Sequence, residues 1–131
     1  MSMAGLGDTI ILPKPGAEKE HLWVVVTNPD PITGEVIIVN LTTQRPHSDT
    51  TTVLLPGEHP FIDRPTVAFY NDVRQAKATL LDSSVAQGVG RNHAVASAAL
   101  LVKLQNGLVA SPFTPAKIKT AFAAAKVAGL T

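Results

Sequence analysis

Apolar residues in the first two thirds of the chain fall into short runs separated by turns rich in proline and glycine. The runs predict strands over residues 8–12, 22–27, 35–41, 50–55, 65–70 and 73–79. Residues 22–27 and 35–41 are almost continuously apolar, as in strands covered on both faces, and we interpret them as a hairpin with a long loop. Strands this short and this closely spaced favour a compact β-barrel or sandwich over βαβ units.

The remaining third of the chain has helical spacing. Apolar side chains repeat there at intervals of three and four residues, and this pattern predicts helices over residues 92–107 and 115–128. Asn92 and Thr114 are candidate N-caps, and Gly107 is a candidate end for the first helix.

The composition supports this division. Eight of the 10 prolines precede residue 80, whereas 12 alanines follow it, and alanine is the residue that most favours helix. A length of 131 residues fits one domain. We therefore predict a single α+β domain over residues 1–131 that is mainly β. It consists of a β-barrel over residues 5–80, an exposed connection over residues 82–92 and two C-terminal helices.

The formal net charge of +1 conceals a division along the chain. All 10 acidic residues lie in residues 1–82 beside six lysines and arginines, so this part carries a charge of −4. Residues 83–131 carry five basic residues and no acid, which is a weak indication of a polyanionic partner. The absence of cysteine excludes catalytic thiols and thiolate zinc sites. With no signal sequence and no membrane-spanning run, a cytoplasmic protein is expected.

Four segments, taken in order, resemble a known family. Residues 7–11 (GDTII) are similar to its opening Gly-Asp-Ile strand, and residues 21–28 (HLWVVVTN) to its Arg-Pro-Val-Val-Val-Leu-Ser-Asn strand. Residues 36–43 (VIIVNLTT) resemble its run ending in Pro-Ile-Thr-Ser, and residues 66–74 (TVAFYNDVR) resemble Ser-Val-Val-Leu-Leu-Asp-Gln-Ile-Arg. The pattern is similar to the PemK/MazF-like toxins, small SH3-like barrels related to the CcdB fold. The resemblance implies a divergent member with a C-terminal helical extension.

The resemblance implies an activity as well as a fold. Family members are mostly endoribonucleases that cut RNA without a metal or another cofactor and pair with an antitoxin. Their catalytic pair is an arginine just before the apolar strand and the threonine of Pro-Ile-Thr. The matched segments place Thr42 on that threonine, His21 on the arginine and Asn40 on the proline. The replacement of the arginine by His21 supports an alternative, a non-catalytic binding module for protein or nucleic acid.

The residue types present suit metal-independent cleavage of single-stranded RNA. The reaction needs a base for the 2′-hydroxyl, an acid for the 5′-oxygen and donors that offset the phosphate charge. Imidazole performs both proton transfers near neutral pH, whereas preorganised cations and hydroxyls supply the donors. His21 is the candidate acid or base, and Thr42 is the candidate donor to the phosphate. His59 or Arg45 would support them. The candidate substrate-binding residues are Arg45, Arg64 and Arg74.

Each of these residues also has an ordinary structural interpretation. A threonine in a Thr-rich turn commonly bonds its own backbone, and His59 beside Pro60 can simply order a loop. The basic tail either follows an RNA backbone or keeps an alanine-rich helix pair in solution. The four histidines lack the spacing of zinc ligands, so no metal site is predicted. The expected partners are RNA, an antitoxin protein and a second copy of the chain in a homodimer, with no membrane.

Overall fold

A computed structural model of the chain describes residues 4–13 and 20–131. In these residues seven strands form one antiparallel sheet, and three helices lie against it. The strands are β1 (Thr9–Pro13), β2 (Glu20–Val25), β3 (Glu35–Thr43), β4 (Val53–Leu54), β5 (Thr66–Ala68), β6 (Arg74–Lys77) and β7 (Arg91–His93). The helices are α1 (Ala78–Ala86), α2 (Ala98–Ala110) and α3 (Ala116–Val127), and a 3₁₀ turn covers Tyr70–Asp72.

The sheet is built around β3, its longest strand. Along one edge β3 pairs with β2, in a register that sets Leu22 opposite Leu41. Along the other edge its first half pairs with β6 and its second half with β5, because the chain leaves the sheet between them at the 3₁₀ turn. β1 extends the sheet beyond β2 and β7 extends it beyond β1, while β4 pairs with β5.

Alternate residues of the central strands contribute to two separate cores. On one face Leu22 packs in a large cluster with Leu104 of α2 and Phe122 of α3. On the other face Trp23 packs in a smaller cluster with Leu81 of α1. Helices therefore cover both faces of the sheet, which is the arrangement that continuously apolar strands require.

The predicted α+β fold is confirmed, and its sheet is antiparallel. The six predicted strands have counterparts in β1 to β6, shifted at their ends by a few residues. The closed SH3-like β-barrel is not observed. Across the described residues the strands run in the order β4, β5, β3, β2, β1, β7, and the two end strands do not pair with each other. β4 has 2 residues and β7 has 3, so neither provides a long edge for closure.

The helical part of the chain starts differently from the prediction. Residues 82–92 are mostly exposed, as predicted, but they are not an irregular connection, because α1 and β7 occupy most of them. The helix expected from Asn92 begins instead at Ala98, where the Ser97 hydroxyl accepts a hydrogen bond from the Leu100 N–H at 3.1 Å. This contact is an ordinary N-cap, displaced from the predicted one by five residues.

Two glycines mark further differences and agreements. Gly107 lies inside α2 rather than at its end. A glycine is needed at this position because Thr52 and Tyr70 occupy the space that a Cβ would fill. α3 matches the second predicted helix and ends at Val127, and Gly129 two residues later has a φ of 75°, the left-handed conformation common just after a helix. Thr114 precedes α3 without capping it.

Within the part of the chain that the structure describes, we find no helix with the length and apolarity to cross a bilayer.

Candidate functional site

A cavity of about 210 Å³, lined mostly by residues with polar side chains, opens at the end of the sheet where β2 begins and β3 ends. We call it the strand-end pocket. Its walls come from the start of β2, the end of β3 with the following turn, and the loop before β5. The lining residues are Glu20, His21, Leu41, Thr42, Thr43, Arg45, Phe61, Asp63, Arg64 and Thr66. Four candidate residues from the sequence therefore meet here, namely His21, Thr42, Arg45 and Arg64.

Strand pairing explains why the pocket lies at this point. The paired stretch of β2 and β3 ends at Leu22 and Leu41. Beyond this pair, His21 remains paired with Leu12 of β1, whereas Thr42 pairs with Val67 of β5. The two strands separate, and His21 and Thr42 face the gap between them.

His21 is half-buried and loosely held. Its Nδ1 lies 3.5 Å from the carbonyl oxygen of Leu41, at the long end of hydrogen-bond range. A carbonyl oxygen only accepts, so this contact favours a proton on Nδ1 and leaves the lone pair on Nε2. A histidine in this state is equipped to take a proton at Nε2.

The charged side chains of the pocket are only partly paired. Glu20 Oε2 accepts a hydrogen bond from Arg91 Nη1 at 2.7 Å. Arg64 donates to both carboxylate oxygens of Asp63, at 2.9 and 3.3 Å, and this contact lowers the pKa of Asp63. Arg45 is exposed and makes no ion pair within the described ranges. Its guanidinium is therefore the cation most accessible to an anion that enters the pocket.

A second cavity, of about 300 Å³, adjoins the strand-end pocket. Thr42, Thr43 and Arg45 line both cavities. The lining residues of the second cavity are Thr42, Thr43, Arg45, His47, Ser48, Asp49, Val67, Ala68 and Phe69. The turn between the cavities is held by the Arg45 N–H, which donates to Ser48 Oγ at 2.7 Å. Together the cavities form a groove with the hydroxyls and the free guanidinium near its middle.

His59 does not line either cavity. The side chain is 3% exposed. Its Nε2 donates to the Ala94 carbonyl oxygen at 2.7 Å, and its Nδ1 accepts from the Phe61 N–H at 3.1 Å. Both ring nitrogens are therefore used within the protein. His59 fastens the loop before β5 to the segment that follows β7.

Arg74 also lies away from the pocket. It sits on β6 opposite Ile38, near the middle of β3. Its guanidinium lies 5.4 Å from the centre of the Trp23 ring and donates to Asp72 Oδ1 at 2.9 and 3.1 Å. Asp72 also accepts from Asn40 Nδ2 at 3.3 Å. Arg74 thus belongs to a polar network beside the smaller core.

The pocket also contains residues that the sequence did not indicate as site residues, among them Glu20, Phe61 and Asp63. In the sequence, the two acids resemble ordinary surface residues. Asp63 is next to Arg64 along the chain, whereas only the fold places Glu20 beside Arg91. The one available signal for Phe61 is an aromatic residue in a polar loop bounded by prolines. Across the residues that the structure describes, no group of three or more His, Asp or Glu side chains is arranged to hold a metal ion.

The fold is similar to that of a solved endoribonuclease in complex with its cognate antitoxin from mycobacterial species. The TM-score is 0.53 at 15% sequence identity, and the match covers 86% of this chain and 97% of that chain. No protein-family model matches the sequence, and no curated protein matches it. At this identity the similarity shows a shared fold.

Proposed function

We propose that the chain is a toxin-like endoribonuclease of a toxin–antitoxin system, and that it cleaves single-stranded RNA without a metal at the strand-end pocket. One observation carries the proposal: His21, Thr42, Arg45 and Arg64 converge in one pocket. The similar fold of an endoribonuclease supports it. In this proposal the open sheet is a divergent form of the SH3-like barrel of the PemK/MazF-like toxins.

The proposed reaction is an attack of the RNA 2′-oxygen on the neighbouring phosphorus. His21 Nε2 takes the proton of the 2′-hydroxyl, a new P–O bond forms, and the bond to the 5′-oxygen breaks. The 5′-oxygen takes a proton from the charged imidazole or from water, which leaves a 2′,3′-cyclic phosphate and a 5′-hydroxyl. The Thr42 hydroxyl donates to a non-bridging oxygen, while Arg45 and Arg64 offset the charge that develops on the phosphate.

The proposed partners follow from the same reasoning. Single-stranded RNA would lie along the two adjoining cavities, with a phosphate at Arg45 and Thr42. The similar endoribonuclease is bound to its antitoxin, and we extend an antitoxin partner to this chain. The proposed protein is a homodimer in the cytoplasm. Sedimentation equilibrium of the purified protein measures its oligomeric state.

The test is incubation of the purified protein with mixed-sequence single-stranded RNA in EDTA. Products with cyclic phosphate and 5′-hydroxyl ends are expected. Because general acid–base catalysis contributes about 10²–10⁴-fold, His21→Ala should slow cleavage by that order. Thr42→Val removes the hydroxyl at nearly constant volume and should also slow cleavage, whereas Thr42→Ser should retain it. Thr120→Val, on α3, is the matched control. Intact RNA at high protein concentration contradicts the proposal.

A second candidate function is a binding module without cleavage. Two observations favour it: His21 stands where the related toxins have arginine, and the carboxylates of Glu20 and Asp63 offset part of the positive charge in the pocket. RNA binding that weakens steeply with salt, without cleavage, would support this candidate.

A further inference from the structure

Phe61 is an aromatic side chain on the wall of the strand-end pocket that is 36% exposed. The loop is anchored by the next residue, Ile62, which is 5% exposed and belongs to the large core. Phe61 itself lines the same cavity as Arg45 and Arg64. An aromatic face beside cations is the combination by which proteins bind single-stranded nucleic acid.

The position of Phe61 is fixed before any ligand binds. Its ring meets that of His93 edge to face, with centroids 5.9 Å apart and an interplanar angle of 82°. Its backbone N–H donates to His59 Nδ1 at 3.1 Å, and His59 Nε2 donates to the Ala94 carbonyl oxygen at 2.7 Å. The Ala94 oxygen also accepts from Thr9 Oγ1 at 2.7 Å, so this chain of contacts ends in the sheet.

We infer that Phe61 is a base-stacking residue for single-stranded RNA, and that His59 is the residue that positions it. The inference rests on the proposed function, because it places an RNA phosphate at Arg45 in the same pocket. A base joined to that nucleotide is within reach of the Phe61 ring. Stacking accepts any base, so the contact adds affinity for RNA while leaving sequence choice to other groups.

The test separates base stacking from phosphate contact. We would measure binding of a mixed-sequence 2′-O-methyl RNA oligonucleotide, which has no free 2′-hydroxyl, and of the same backbone without bases. Since stacking contributes about 1–3 kcal/mol per base, Phe61→Leu should weaken binding of the base-bearing oligonucleotide about fivefold or more. Binding of the abasic backbone should not change. Phe61→Tyr should bind both oligonucleotides like the native protein, and so should Phe113→Leu, which alters an exposed aromatic residue outside both cavities.

The role of His59 is tested by a double-mutant cycle. His59→Ala should weaken binding of the base-bearing oligonucleotide, and Phe61→Leu should add little in that background. His59→Gln offers an amide acceptor and an amide donor, so it should restore part of the affinity. If His59→Ala does not fold, the His59→Gln protein and the Phe61 variants still decide the question.

The outcomes distinguish this inference from the proposed function. Equal binding of the base-bearing oligonucleotide by the native protein and Phe61→Leu overturns base stacking, even if the native protein cleaves RNA. Base-dependent binding that needs Phe61, without cleavage of ordinary RNA, supports base stacking and contradicts the proposed endoribonuclease activity. Failure of the native protein to bind either oligonucleotide overturns base stacking, and cleavage of ordinary RNA then decides the proposed function separately.

Discussion

Polar side chains in the strand-end pocket are exposed or loosely bonded, whereas those beneath α2 are buried and closely hydrogen-bonded. In the pocket, His21 makes one contact at 3.5 Å and Arg45 is exposed. Beneath α2, Thr52 Oγ1 and Tyr70 Oη are 2.7 Å apart, and Tyr70 donates to the Leu104 carbonyl oxygen at 3.0 Å. Here a carbonyl fixes the direction of donation, so the Thr52 hydroxyl donates to Tyr70.

The difference separates groups available for chemistry from groups that hold the fold. A buried polar group left without its partner costs about 1–3 kcal/mol. The buried contacts beneath α2 therefore contribute to stability. An exposed charged or polar side chain contributes little to stability. Substitutions in the pocket should therefore alter RNA binding or cleavage and leave the fold intact.

The largest expected effect is that of Gly107→Ala. A Cβ at this position would overlap the hydroxyls of Thr52 and Tyr70, which are buried and joined by a hydrogen bond. Overpacking and the lost hydrogen bonds should together reduce the free energy of unfolding by about 3 kcal/mol, despite the better helix propensity of alanine. Urea denaturation measures the change. Asn106→Ala, at the exposed neighbouring position of α2, is the control and should be neutral or slightly stabilising.

Replacing each of the two histidines by alanine should change the free energy of unfolding by very different amounts. His59→Ala removes a ring that is 3% exposed, the acceptor of the Phe61 N–H and one of the two donors to the Ala94 oxygen, which keeps the Thr9 hydroxyl. The free energy of unfolding should fall by about 2–3 kcal/mol. His21→Ala should change it by less than about 0.5 kcal/mol, since the side chain is half-buried and its contact is long. Equal losses of stability in the two variants would contradict the distinction between a loosely held pocket side chain and a buried, hydrogen-bonded one.

The buried region should also lose stability at alkaline pH. Burial raises the pKa of Tyr70 to about 12, against 10.0 for a tyrosine side chain in water, and the nearby Asp49 carboxylate adds to the shift. The folded state thus favours the neutral phenol. This contribution is complete below pH 10 and is lost as the pH rises towards 12, up to about 2–3 kcal/mol.

Tyr70→Phe provides the control for the alkaline transition. It removes the ionising group, so unfolding midpoints in urea should fall less between pH 10 and 12 than those of the native protein. Tyr70 is the sole tyrosine of the sequence, so the ultraviolet absorbance of tyrosinate reports its ionisation directly. A spectroscopic midpoint near pH 10 in the folded protein would contradict a buried, hydrogen-bonded phenol.

The sequence predicted the central sheet well, because its strands have clear apolar runs. It did not predict α1, because residues 78–86 (ATLLDSSVA) were divided between a predicted strand over residues 73–79 and a predicted connection over residues 82–92, and the helix packs mainly through Ala78 and Leu81. It also missed β7, a strand of 3 polar residues that forms only by pairing with β1. Both elements depend on tertiary contacts that local pattern does not record.

The candidate site was predictable to a similar degree. Matching the strands selected His21 and Thr42, and the structure places both at one pocket with Arg45 and Arg64. Sequence could not distinguish His21 from His59, because their difference lies in burial and in partners distant along the chain, such as Ala94. Their catalytic roles remain predictions.

The smallest expected effect concerns the acid at the pocket. Glu20→Gln removes an exposed carboxylate that pairs with Arg91, so stability should change by less than about 1 kcal/mol. Binding of single-stranded RNA should strengthen a few-fold at low salt, because a repulsive charge is lost and Arg91 is released. Glu35→Gln makes the same change in net charge at the opposite end of β3 and is the control. Equal strengthening by both variants would assign the effect to net charge, whereas weakening by Glu20→Gln would mean that the carboxylate itself contacts the RNA.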